Sequence, residues 1–141
     1  MSAIRDFQVG LVQVLKFDGN LAPLINDVYD MRAPQGATVT PPYIVLDSWT
    51  GVPVDRMNGF GVRVTCALHI WTDYQGTKQG GVIESIVEDI VHQGHNRIVL
   101  PADSQWSLIT LHRSEANYMM DGSLCHGTMR LTAVLHKQPK L

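Results

Sequence analysis

Charge is scarce in this sequence. Only 17% of its 141 residues are Asp, Glu, Lys or Arg, and 11 basic against 13 acidic side chains leave a net charge of −2. A chain this close to neutral has no global attraction for nucleic acid or for an anionic membrane. Its cations, among them Arg56, Arg63, Lys78, Arg113 and Arg130, are scattered rather than gathered into a run. Cysteine is nearly missing. Cys66 and Cys125 are too few for a disulfide scaffold, and neither belongs to a CxxC pair. Both fall in strand-like stretches, where two buried thiols in a reducing compartment are expected; a single bridge between neighbouring strands is the alternative. No apolar run approaches the ~20 residues that span a bilayer. The start, Met1-Ser2-Ala3-Ile4-Arg5-Asp6, has no basic region ahead of an apolar block, which argues against a signal peptide. Internal repeats and low-complexity segments are missing too.

What is present is a globular balance, with 45% hydrophobic residues. The length fits one domain over 1–141 with a real core. Residues 3–17 read as a helix, since Ile4, Phe7, Leu11, Val14 and Leu15 share a stripe and Ser2 can cap it. Asp18-Gly19-Asn20 stops that helix, and Leu21 to Asn26 could make a short second one, with Pro23 in its first turn. Val28-Tyr29-Asp30 reads as extended, 31–42 as a long loop, 43–49 as a strand led by Pro41-Pro42, and 50–60 as a second long connection. The clearest strand runs from Gly61 to Trp71. Val62, Val64, Cys66, Leu68 and Ile70 lie on one face, with Arg63, Thr65, Ala67, His69 and Trp71 on the other. A helix follows over 77–93, with Ile83, Ile86, Val87, Ile90 and Val91 inward and Glu84, Ser85, Glu88 and Asp89 wet. Strands are expected at 97–100, 106–112 and 124–137. The order predicts an α+β fold, a mainly antiparallel sheet with two main helices packed on it and long loops.

Reaction chemistry finds little footing. There is no GxSxG elbow, no HExxH and no GxxxxGK[ST]. The segment Gly76 to Gly81 opens a helix, yet it is better read as a flexible turn than as a phosphate cradle. Glu84, Glu88 and Asp89 sit where solvated charge usually sits. His69, His126 and His136 lie on polar strand faces, and two of them could meet if their strands are neighbours. A small-ligand or metal site at His69, His126 and Trp71 is therefore one reading, but a metal centre normally needs three or four ligands, and solvent-facing histidines are the plainer account. No catalytic residue, cofactor or metal is expected. The apolar residues on the two long loops point instead to contacts with another chain.

The order of these pieces resembles the tail-completion, or tail-terminator, proteins of long-tailed phages and gene transfer agents. The likeness runs from Phe17-Asp18 and Leu21-Ala22-Pro23-Leu24, through Val28-Tyr29-Asp30 and Pro41-Pro42-Tyr43-Ile44-Val45-Leu46, to Leu68-His69-Ile70-Trp71-Thr72, helix 77–93 and Gly127 to Val134. It implies a structural virion protein rather than an enzyme. Such a protein forms a homo-hexameric ring on the head-proximal end of the tail tube, stops tube polymerisation and presents a surface for head–tail joining. The implied partners are other copies of the chain, the tail-tube protein and a connector or stopper protein, and DNA passes through the lumen without sequence-specific binding. A neck adaptor or stopper of the same particle is the neighbouring alternative. From loop composition, the expected subunit or partner contacts are Val39, Tyr43, Trp49, Val52, Val54, Met57, Phe60 and Trp71.

Overall fold

The computed structural model describes residues 2–30, 40–55, 59–73 and 76–137. Helix α1 spans Ala3–Phe17. Ser2 caps it as its residue type predicts, with its Oγ accepting the Arg5 backbone N–H at 3.1 Å. The expected second helix is a single 3-10 turn, Ala22–Leu24. Asp18 explains why the chain turns there. Its carboxylate accepts the backbone N–H groups of Asn20 and Leu21 at 3.0 and 2.9 Å and the guanidinium of Arg97. Burial opposes ionisation of Asp18, but the Arg97 hydrogen bond and the two backbone donors together hold its carboxyl below the usual carboxylate range.

Six strands follow: β1 Val28–Tyr29, β2 Tyr43–Pro53, β3 Gly61–Thr72, β4 Trp106–Arg113, β5 Asn117–Asp121 and β6 Leu124–Lys137. They form one sheet in the order β1-β2-β3-β6-β4, with β5 also paired to β6. Only β1 runs parallel to its neighbour. β6 is the hub. One side of it pairs along the whole of β3, and its other side pairs first with β5 and then with β4. Helix α2, Lys78–His92, and a short helical turn, α3 Gly94–Arg97, complete the chain. Both main helices pack on the same face of the sheet. There Phe7, Leu11 and Leu15 of α1 and Ile83, Val87 and Ile90 of α2 meet Val64, Cys66, Leu68, Met129, Leu131 and Leu135. Burial of each large aliphatic side chain contributes about 1.5–3 kcal/mol.

Three expectations need correction. The connection placed at 50–60 begins later, because Thr50 to Pro53 continue β2 opposite Thr65 to Val62. A bulge after Asp47, with Ser48 at φ 58, lets the strand resume past the Gly and Pro that looked like turn residues. The strand expected at 97–100 does not form. Ile98 N–H bonds to the Gly94 carbonyl at 2.7 Å, and Ile98 and the Val99 carbonyl press on α1 at Gly10, so Ile98 is consumed by helix packing while the Val99 side chain faces solvent. Glu84 is not on a wet face. Tyr118 donates its hydroxyl to the Glu84 carboxylate, and Arg113 lies 3.7 Å from Glu84 and 2.8 Å from Glu88. These contacts dock β4 and β5 onto α2. The Tyr118 ring fills a slot left by Gly80 and Gly127, where any Cβ would come within 3 Å of it. Burial first, and then the Glu84 carboxylate, push the Tyr118 hydroxyl above its ordinary range.

Candidate functional site

Strict alternation along β3 and β6 sends Cys66, Leu68 and Ile70 inward and His69 and Trp71 outward, and it does the same for Cys125 and His126. The outer face, opposite the helices, therefore gathers polar and aromatic groups from several strands. Tyr43 lies opposite Trp71, Trp71 opposite His126, and His69 opposite both Val45 and Thr128. The result is a continuous row of rings. Tyr29 meets Tyr43 edge-on at 5.9 Å, Tyr43 stacks with Trp71 at 6.3 Å and 19°, and Trp71 stacks with His126 at 3.9 Å and 8°. His69 closes the row. Its Nδ1 is 2.7 Å from His126 Nε2, and its Nε2 is 2.8 Å from Asp47 Oδ1. Thr128 Oγ1 lies 3.2 Å from the same His126 nitrogen.

Electrostatics follow from this packing. Burial, and then the neighbouring His69, push the His126 imidazole below its ordinary value, against the pull of Asp121 and Asp47. Burial, and then Tyr29, raise the Tyr43 hydroxyl. On the inner face burial, and then the Asp47 carboxylate, push the Cys66 thiol up to about 12, so it carries almost no thiolate at neutral pH. Both cysteines are free and buried. They sit on adjacent strands, but Cys66 pairs with Leu131 and Cys125 with Thr72. That register separates them by roughly 20 Å at about 3.3 Å per residue, far beyond disulfide reach.

What this face can do chemically is limited. Trp71 has a ring on each side, so neither face is open to a nucleobase. His69 and His126 do meet, as neighbouring strands allow. Even so, the two nitrogens of His69 point to different partners, and the described residues contain no group of three or more His, Cys, Asp or Glu side chains arranged to hold a metal ion. His136 is elsewhere, beside Gly59 at the far end of β6. At the start of α2, Lys78 and Gln79 line an open groove of about 520 Å³ with Leu24, Val82 and Ile83. Its walls are mainly apolar, and Asp73 would face any anion bound there.

The residues expected at an interface are dispersed. Tyr43 and Trp71 come together in the ring row. Trp49 turns to the helix side, packing edge-on against Phe7 at 6.2 Å and donating its indole N–H to the Asp30 carbonyl. Val52 is exposed on β2 where, among the described residues, no strand pairs on the outer side, Val54 packs against Gly61, and Phe60 is exposed beneath the Lys137 ammonium at 5.9 Å. Val39 and Met57 lie outside the described residues. Sequence reasoning missed Tyr29, Asp47 and Thr128. Their roles come from register across strands, which no single stretch displays.

Comparison with known proteins supplies the deciding observation: the model of the family described as "Tail completion protein gp17" matches residues 9–136. The chain belongs to that family. It is a structural protein of a virion tail. Among solved structures, a chain from the "Virion of native gene transfer agent (GTA) particle" shares the fold, with a TM-score of 0.80 at 20% identity over 96% of this tail completion protein and 99% of that chain. Among curated proteins, no relative matches it.

Proposed function

We propose that this tail completion protein assembles as a single domain into a closed homo-hexameric ring on the head-proximal end of the tail tube. The ring ends tube polymerisation and offers its opposite face to the head connector or stopper, while DNA passes through its lumen without sequence-specific contact. The family match over nearly the whole chain carries this reading. The disposition of the sheet supports it. Among the described residues no further strand pairs with β2 from Ser48 to Pro53, nor with the outer side of β5 or of β4 from Leu108 to Arg113. Exposed apolar side chains stand at both free edges: Val52 on β2, Ile109 on β4 and Met119 on β5. Two different edges, each apolar and unpaired, suit head-to-tail contacts between identical copies, which close into a ring when the rotation permits. A net charge of −2 suits a channel that must release DNA.

The test pairs native mass spectrometry with a capping assay. The purified protein, alone or with tail-tube protein, is expected to give a hexamer, and adding it to polymerising tube is expected to shorten the tubes in proportion to dose. A monomer in both mixtures, with tube length unchanged, would overturn the proposal.

A further inference from the structure

The contact between His69 and His126 joins three strands through side chains alone. Asp47 on β2, His69 on β3 and His126 on β6 form one chain of hydrogen bonds, 2.8 Å and then 2.7 Å long. The nitrogens that meet, Nδ1 of His69 and Nε2 of His126, can share only one hydrogen between them, because two N–H groups pointing at each other cannot approach to that distance. We propose that His69 and His126 act as a one-proton clasp across β3 and β6, with Asp47 as its counter-ion, and that a second proton forces the clasp open.

With no added proton, His69 donates Nε2–H to Asp47, and its Nδ1 accepts the Nε2–H of His126. A proton arriving from water at His126 Nδ1 leaves that ring able to pass its Nε2 proton across to His69 Nδ1. His69 is then an imidazolium donating to Asp47 on one side and to His126 on the other, and His126 is neutral again. Both hydrogen bonds survive, and the charge rests beside a carboxylate. A second proton, again from water, has only Nε2 of His126 left to take, the nitrogen that faces the Nδ1–H of His69. It finds no such outlet, since both facing nitrogens would then carry hydrogen, and the rings have to part.

Among the described residues, Asp47 of β2, His69 of β3 and Asp121 of β5 act on His126, while both main helices lie on the other side of the sheet. Asp121 and the Trp71 ring face favour a charged His126; burial and the charge on His69 oppose it. The N···N contact decides, because it is shorter than any arrangement of two imidazolium ions tolerates. The linkage sign is fixed by the lowered affinity of His126 for a proton. Stability from the clasp is complete above about pH 6.5, the ordinary histidine value, and is lost as the pH falls below it, because the unfolded chain takes up a proton that the folded one refuses.

The experiment is a pH titration of the intact protein from pH 8 to 4, followed by imidazole nitrogen NMR and by Trp71 fluorescence, with Trp71→Phe to assign the indole signal. The expected result is one proton taken up jointly by both rings, and a second only at a higher proton concentration than a free imidazole needs, accompanied by a change in Trp71 emission. Asp47→Asn, which removes the carboxylate that accepts from His69, is expected to loosen the clasp and change Trp71 emission already at pH 8. Two independent, ordinary titrations in the wild-type protein, or a Trp71 signal that never changes, would overturn the clasp.

Discussion

Asp6 is fully buried on α1, and among the described residues neither of its carboxylate oxygens has a hydrogen-bond partner. An uncompensated buried polar group is a standing cost. Replacing it with a shape-matched apolar residue, Asp6→Leu, is expected to raise the free energy of unfolding by about 1–3 kcal/mol, read from urea denaturation. Asp18 is the opposite case, since every contact it makes favours its charge. Asp18→Asn should cost about 1.5–3 kcal/mol at pH 7, because the Arg97 pair and the turn donors lose an ionised acceptor. The sign follows from its lowered proton affinity. The contribution of Asp18 is complete above about pH 4 and fades as the pH falls through its lower folded value, so the variant should show a flatter acid limb in melting temperature against pH. At Cys66, a thiol pushed up to about 12 should resist iodoacetamide at pH 8 in the folded protein and react fully in denaturant, as thiol mass labelling would show. The inward turn of Cys66 is legible from alternation alone. The pairing of His69 with Asp47 is not, because it depends on which residue of β2 stands beside β3.

At the scale of elements, β3 and β6 were readable because alternation persists for a dozen residues and the other strands only have to accept it. Their limits in the structure, 61–72 and 124–137, lie within a residue of the pattern. α1 and α2 were readable for the same reason at helical spacing. β5 was not. Asn117 to Asp121 are mostly exposed, and their extended form is imposed by pairing with β6 rather than by any periodicity of their own. What holds β5 on the helix side is Tyr118 in its two-glycine slot. Gly127→Ala would place a Cβ 2.8 Å from Tyr118 Cε1 and is expected to cost about 1–3 kcal/mol, with faster amide exchange confined largely to 117–121. The run 97–100 shows the limit from the other side. Four apolar-rich residues before a proline fit a strand or a packed connector equally well, and only the presence of Gly10 on α1 settles which.

For the whole molecule, the fold class was legible and the edges proposed for assembly were not, since edges exist only once the sheet is ordered. Val52 and Ile109 sit on opposite edges that are free among the described residues, and both are about half exposed. Val52→Asp or Ile109→Asp should therefore leave the melting temperature of the isolated chain nearly unchanged, within about 0.5 kcal/mol, while abolishing any ring seen by native mass spectrometry. The placement of β6 carries a different consequence, one of timing. Gly61 lies opposite His136 and Thr72 opposite Cys125, so the central strand pair joins distant parts of the chain. Loop closure on this scale slows folding, and no earlier strand can substitute for β6, which also anchors β4 and β5. On the ribosome, α1 through β5 wait without their central partner strand until β6 emerges. Nascent chains halted before residue 124 should stay sensitive to protease, and resistance should appear abruptly once β6 is out. The edges proposed to join other copies therefore take shape only once β6 has paired with β3, β4 and β5.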